Sequence, residues 1–221
     1  MALNLGQQIS TPAQPNLGTP SSTYDQGFFG ISFGGLNVYF SKLTAIFAAL
    51  FGQRGGKWIN NPYGAFQDGT DQTAANTTTA YAITFDTTDF SNGVTLSNSS
   101  RLNVSQAGLY NLQFSIQFKN TTNDTQDVDV WFRKNGTNID KSNSRFGMPT
   151  RKSSGDPSHL IAALNFFVNL ASNDYVEIMW RPSNVGVSIE HFAASSSPTR
   201  PVVPSVIATL SFVSNLSTET A

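Results

Sequence analysis

The chain has 221 residues, no cysteine and a formal net charge of −1, and only 12% of its residues are charged, against roughly 25% in typical soluble domains. That length holds one sandwich-sized domain of about 150 residues plus an appendage. The 13 Lys and Arg are scattered among 14 Asp and Glu, so no basic field recruits a phosphate backbone, and the lack of cysteine removes disulfide and thiolate chemistry.

The first residues, MALNLGQQISTPAQPNLGTP, lack the basic-then-apolar order of a signal peptide, so export by a general secretory route is not expected. Residues 1–35 place Pro12, Pro15 and Pro20 in a Gly, Ser and Gln background, then run into FFGISFGGLNVYF. Such a segment cannot bury enough of its own surface to fold alone. Its aromatic side chains are nevertheless costly to leave in water. The expectation is an extended arm that docks on another protein.

Leu36, Tyr39, Phe40, Leu43, Phe47 and Leu50 then fall mostly three and four apart, which predicts one short amphipathic helix over about 36–51. Gly52, Gly55 and Gly56 end it, and Arg54–Lys57 reads as a hinge. The nearly uninterrupted apolar run after Lys42 lasts about nine residues, well short of the roughly 20 a membrane span needs. The polar face also lacks the Lys and Arg of a membrane-surface helix. Docking on protein or forming an oligomer core is therefore preferred over packing into the domain core and over membrane contact, and Phe28, Phe29, Phe33, Tyr39, Phe40, Leu43, Phe47 and Leu50 are the expected docking side chains.

From Tyr63 onward short β runs separated by Gly, Asn, Asp, Ser and Pro take over. They include YGAFQ, AYAITF, GVTLS, RLNVS, VDVWFRKNGTNI, HLIAALNFFVNL, DYVEIMWR, VGVSIEHF and VIATLSFVS. Asn92-Gly93 and Asn135-Gly136 are tight-turn signals. The longest run, GLYNLQFSIQFK, sets Tyr110, Leu112, Phe114, Ile116 and Phe118 against Asn111, Gln113, Ser115, Gln117 and Lys119, the signature of a half-buried strand. Without any βαβ alternation, the fold class expected is all-β: an antiparallel jelly-roll sandwich of about 8–10 strands over 61–216, preceded by an anchoring arm, 1–60, and followed by a disordered tail, 217–221.

At Leu102, Gly108, Tyr110, Leu112 and Phe114 the chain resembles the jelly-roll heads of the tumour necrosis factor and complement globular-head superfamily. That pattern is an aromatic, five residues, then Gly-x-Tyr-x-Phe-x-aromatic; here Leu102 and Leu112 stand at two of its aromatic positions. The order of the later blocks agrees, through Asn135-Gly136, the strand reaching Leu170, the Asn173-Asp174-Tyr175 turn and a last strand ending near Phe212, so the likeness spans 63–214. The resemblance implies a homotrimer packed about a threefold axis and built for display and binding. It puts Tyr110, Leu112, Phe114, Tyr175 and Met179 at the trimer interface or in the core. The chain is also similar to the knob-like domains that bacteriophages place on capsids and tails, anchored by an N-terminal extension.

Catalytic patterns are missing from the sequence. His159 and His191 have no Cys or carboxylate cluster at ligand spacing, no segment matches a calcium loop, and neither a nucleophile elbow nor a phosphate-binding glycine loop occurs. Asp127 and Asp129 read as the solvent face of a strand, and Glu177 and Glu190 as outward or interfacial. Trp131, on the face opposite Val130 and Phe132, is either packed against another subunit or a contact for a sugar. The expectation is a non-enzymatic structural virion protein, without cofactor or metal. It is a trimeric capsid decoration or cement protein that binds the major capsid protein or other virion proteins, assembled in the host cytoplasm onto the capsid surface, with neither nucleic acid nor membrane as partner. A tail-fibre or knob module binding a receptor or glycan is the alternative.

Overall fold

A computed structural model describes residues 26–51 and 61–214, which belong to separate units, Met1–Asn60 and Asn61–Ala221. The start of the expected arm, the Arg54–Lys57 hinge and the tail lie outside the described residues.

Among the described residues of the first unit, a helix, α1, spans Gln26–Phe51. It is longer than the spacing predicts, beginning at Gln26 rather than near Leu36. No proline interrupts Gln26–Phe51, and each of Gly27, Gly30, Gly34 and Gly35 disfavours helix by only about 1 kcal/mol relative to Ala. The 3.6-residue pattern also continues upstream, because Phe33, Phe40 and Phe47 share one side at a spacing of two turns. What reads as an extended aromatic segment is therefore helical from Gln26.

The second unit is built of antiparallel strands: β1 Tyr63–Asp68, β2 Gln72–Thr73, β3 Tyr81–Ala82, β4 Thr87–Asn92, β5 Val94–Ser97, β6 Arg101–Val104, β7 Gly108–Asn120 and β8 Gln126–Lys134. There follow β9 Thr137–Asn138, β10 Ser144–Met148, β11 Ser158–Leu170, β12 Tyr175–Pro182, β13 Val187–Ile189, β14 Ser195–Ser196, β15 Thr199–Arg200 and β16 Val206–Ser214. The number exceeds the expected 8–10 because several are two-residue pieces. Two strands are not legible in the sequence: β4 is almost wholly exposed, and β10 alternates but has only Phe146 and Met148 as inward apolar residues.

One sheet runs β2-β13-β7-β16-β1-β4, with β11 on the other side of β7; the second runs β10-β8-β12-β6-β5. The pairing is nested. β1 meets β16, β6 meets β12, β7 meets β11 and β8 meets β10, as though one long antiparallel ribbon had been wrapped on itself. Asn135 and Gly136, both at positive φ (48° and 81°), make the two-residue turn from β8 to β9 that an Asn-Gly pair favours. Gly93 has a different task from the tight turn expected. At φ 66° it passes the chain from β4 in one sheet to β5 in the other, where a Cβ would lie 2.8 Å from Ser105 Oγ.

Alternating side chains of the two sheets meet in the core. Phe132 of β8 stacks on Phe166 of β11 (4.6 Å between centroids) and meets Phe114 of β7 edge-on at 6.0 Å. Trp180 of β12, 1% exposed, contacts Phe118 of β7. Gly108 and Tyr110 form a local device at the start of β7. The Tyr110 ring packs edge-on against Phe212 at 5.6 Å, its hydroxyl donates to the Gln106 carbonyl at 2.8 Å, and burial pushes its pKa up to about 12. Phe212 in turn occupies the space a Cβ on Gly108 would need, 2.8 Å from the Ser214 carbonyl oxygen. Gly108→Ala is accordingly expected to cost about 1–3 kcal/mol in urea unfolding, the range for overpacking a filled core. An unchanged midpoint would show that the ring moves aside at no cost.

Candidate functional site

The outer face of the second sheet carries two acid-centred groups of ion pairs, one on Asp129 and one on Glu177. Strand alternation sends Asp129, Trp131 and Arg133 of β8 to that face, and register sets them opposite Arg181, Met179 and Glu177 of β12. Arg145 of β10 lies across from Asp129. Asp129 is 7% exposed and accepts from Arg145 Nε (2.9 Å) and Nη2 (3.3 Å) and from Arg181 Nη2 (3.0 Å). Bonding to the Arg145 guanidinium lowers its pKa against the opposing effect of burial, and Arg181 adds to the lowering. Asp129 thus departs from the solvent-face expectation: it points outward but is covered by two arginines.

A second acid-centred group flanks Trp131 on the other side. Glu177, 2% exposed, accepts from Arg133 Nε at 2.9 Å and from Ser100 Oγ at 2.9 Å, with Arg101 Nε 3.6 Å away. The Arg101 guanidinium sits 4.5 Å from the centre of the Tyr175 ring. Glu177 is therefore a buried structural carboxylate, contrary to the outward reading. Between the two groups Trp131 is half-buried, and its indole N–H donates to Asn138 Oδ1 at 2.9 Å. Trp131, Asp129 and Arg181 line an open cleft of about 430 Å³ with Asn138, Asp140, Lys141 and Asn143.

The remaining expected residues are dispersed. Tyr110, Leu112 and Phe114 are interior, at 0%, 0% and 4% exposure; Met179, 1% exposed, is covered on the outer face opposite Trp131, and Tyr175 is half-buried. On α1, Tyr39 and Leu43 are half-buried while Phe33, Phe40 and Phe47 are 65%, 59% and 55% exposed. Phe28, Phe29 and Leu50 fall within α1, but their side chains lie outside the described residues. Further exposed apolar side chains, not singled out in the sequence, stand on either side of the polar outward residues of β7: Ile161 and Phe167 on β11, and Ile207 and Val213 on β16.

His159 bonds Glu190 Oε2 at 2.9 Å, Lys119 pairs with the other oxygen of Glu190, and His191 bonds Asp71 at 2.7 Å. Glu190 stands just past β13 rather than within a strand. Among the described residues no group of three or more His, Cys, Asp or Glu is placed to hold a metal ion, and no helix is long and apolar enough to cross a membrane.

Parts of the cleft are legible in sequence, since DVDVWFR and VEIMWR each put their charged residues on the Trp131 side. The pairing of Asp129 with two arginines depends on cross-strand register, which one strand does not reveal. No protein-family model matches the chain, and no curated protein is significantly similar to it.

Proposed function

We propose that the chain is a structural virion protein of a bacteriophage, a trimeric jelly-roll head held on the capsid through its N-terminal segment as a decoration or cement protein. The nested pairing of β1 with β16, β6 with β12, β7 with β11 and β8 with β10 is what a ribbon rolled into a jelly roll requires, and it supports the fold half of the proposal. The likeness of Gly108, Tyr110 and Phe114 to the globular-head pattern supports trimerisation. Because Tyr110, Leu112 and Phe114 are sealed inside the protomer, the threefold contacts of this proposal fall to the exposed Ile161, Phe167, Ile207 and Val213.

The observation that carries the anchoring is the surface of α1. The helix is about 39 Å long at 1.5 Å per residue, and Lys42 is the only Lys, Arg, Asp or Glu in it. Ile31, Phe33, Val38, Phe40 and Phe47 are all more than half exposed. An apolar helix of this kind needs cover, and with so little basic character a protein surface suits it better than an anionic membrane. Three such helices on one trimer add avidity to whatever each contributes.

Changing Phe33, Phe40 and Phe47 together to Ser in the full chain should weaken binding to capsids stripped of minor proteins by at least about a thousandfold, at about 1.5 kcal/mol or more per buried Phe. The circular dichroism of the β domain should not change. Undiminished capsid binding by this triple variant overturns the anchoring. The receptor- or glycan-binding reading is favoured by one feature, the cleft beside Trp131, and a capsid-bound head can carry such a site.

A further inference from the structure

We infer that the cleft beside Trp131 is a binding site for a carboxylate-bearing saccharide, such as a uronic or sialic acid unit of a larger glycan. The inference goes beyond the virion proposal and rests on the head alone. Three features of the cleft point the same way. The first is an aromatic wall: Trp131 lines the cleft, and its N–H is already engaged by Asn138 at 2.9 Å, which fixes the ring and leaves its faces as the contact surface for a sugar.

The second feature is the oriented guanidinium of Arg181, which lines the cleft, with Arg145 outside the lining on the other side of Asp129. Arg145 and Arg181 are pinned by the buried Asp129, yet their side chains stay 60% and 40% exposed. Each guanidinium has five N–H donors; Asp129 accepts three hydrogen bonds from the two together, and the Thr77 carbonyl accepts one from Arg181 Nη1 at 3.4 Å. Donors in a preset planar fork are therefore left for a ligand carboxylate, which such a fork binds in bidentate fashion. Asp129 thus acts as a positioning residue for the two arginines. Lys141 in the lining adds a second positive charge to that of Arg181, facing the carboxylates of Asp129, already bonded by the arginines, and Asp140.

The third feature is a set of short polar side chains, Asn143 and Asp140, suited to sugar hydroxyls because they supply both donors and acceptors. Other ligand classes fit less well. A nucleic acid would need a basic track, whereas the chain carries 13 Lys and Arg against 14 Asp and Glu. An apolar ligand would leave the charged lining desolvated without partners. A neutral sugar would use the Trp131 wall and leave Arg181 and Lys141 idle.

The test is calorimetric titration of the full-length protein with oligogalacturonide and with sialyllactose, against maltotetraose and lactose as neutral controls. At least one acidic saccharide should bind at least about tenfold more tightly than its neutral control. Trp131→Ala should weaken that binding by about tenfold or more, and Arg181→Lys, which keeps the charge and removes the fork, should reduce the preference for acid over neutral sugar. Trp131→Phe guards against a folding artefact, since it preserves an aromatic wall and should retain most of the affinity. Failure of both acidic saccharides to bind, equal affinity for acidic and neutral sugars, or affinity unchanged in Trp131→Ala each overturns the inference. Capsid binding is a separate readout, so loss of either property leaves the other measurable.

Discussion

Glu177→Ala is expected to destabilise the head by about 3 kcal/mol, measured by urea unfolding. The side chain is 2% exposed and receives hydrogen bonds from Arg133 and Ser100, with Arg101 close by. Truncating it leaves two guanidinium groups facing each other without the anion that joins them. Arg101 is the more vulnerable, since its Nε is buried and has only the ion pair with Glu177 to compensate it. Breaking a buried pair by removing one partner costs about 3–5 kcal/mol. The lower end applies because the side chains of Arg133 and Arg101 remain 29% and 38% exposed and recover some hydration. Glu177→Gln keeps the shape and part of the bonding, so its loss should be smaller. A loss below about 1 kcal/mol for Glu177→Ala would mean that water replaces the carboxylate.

Trp180→Ala should cost more, about 4–5 kcal/mol, near the top of the range for deleting a buried aromatic. Its ring is 1% exposed, with its centre 5.9 Å from that of Phe118 in the facing sheet and 6.0 Å from that of Tyr81 in β3, so it joins β12 to both β7 and β3. The cavity left behind cannot collapse easily between two hydrogen-bonded sheets. A stability of about 5–15 kcal/mol is usual for a domain, so this one substitution could remove much of it. Loss of the near-ultraviolet circular dichroism signal together with a lowered thermal midpoint is the expected result. A melting temperature equal to that of the unsubstituted protein would contradict the placement of Trp180 in the core.

Sequence alone carries the interior of the head well where alternation is strict. GLYNLQFSIQFK becomes β7, with Tyr110, Leu112, Phe114, Ile116 and Phe118 facing in, and VIATLSFVS becomes β16 over the same residues. It fails where a strand owes its existence to its neighbours. SRFGM pairs with β8 from Met148 to Ser144 although it has only two apolar side chains, Phe146 and Met148, and TTDFSN pairs with β1 while almost fully exposed. It also fails for charge: Asp129 and Glu177 read as surface residues because alternation points them outward. Only register reveals the arginines that cover them. On α1 the glycines conceal a helix that continues upstream of Leu36, since propensity is a weak local preference.

The most direct test of the trimeric, anchored head is the mass in solution, by light scattering, of the full-length protein and of its 57–221 fragment. With a protomer of 23.9 kDa, the full chain should give about 72 kDa as a trimer, and the fragment should likewise give three times its own mass. Only the full-length protein should then add to stripped capsids. A monomeric fragment would contradict the proposal that the head makes the threefold contacts, because association would then depend on the N-terminal segment.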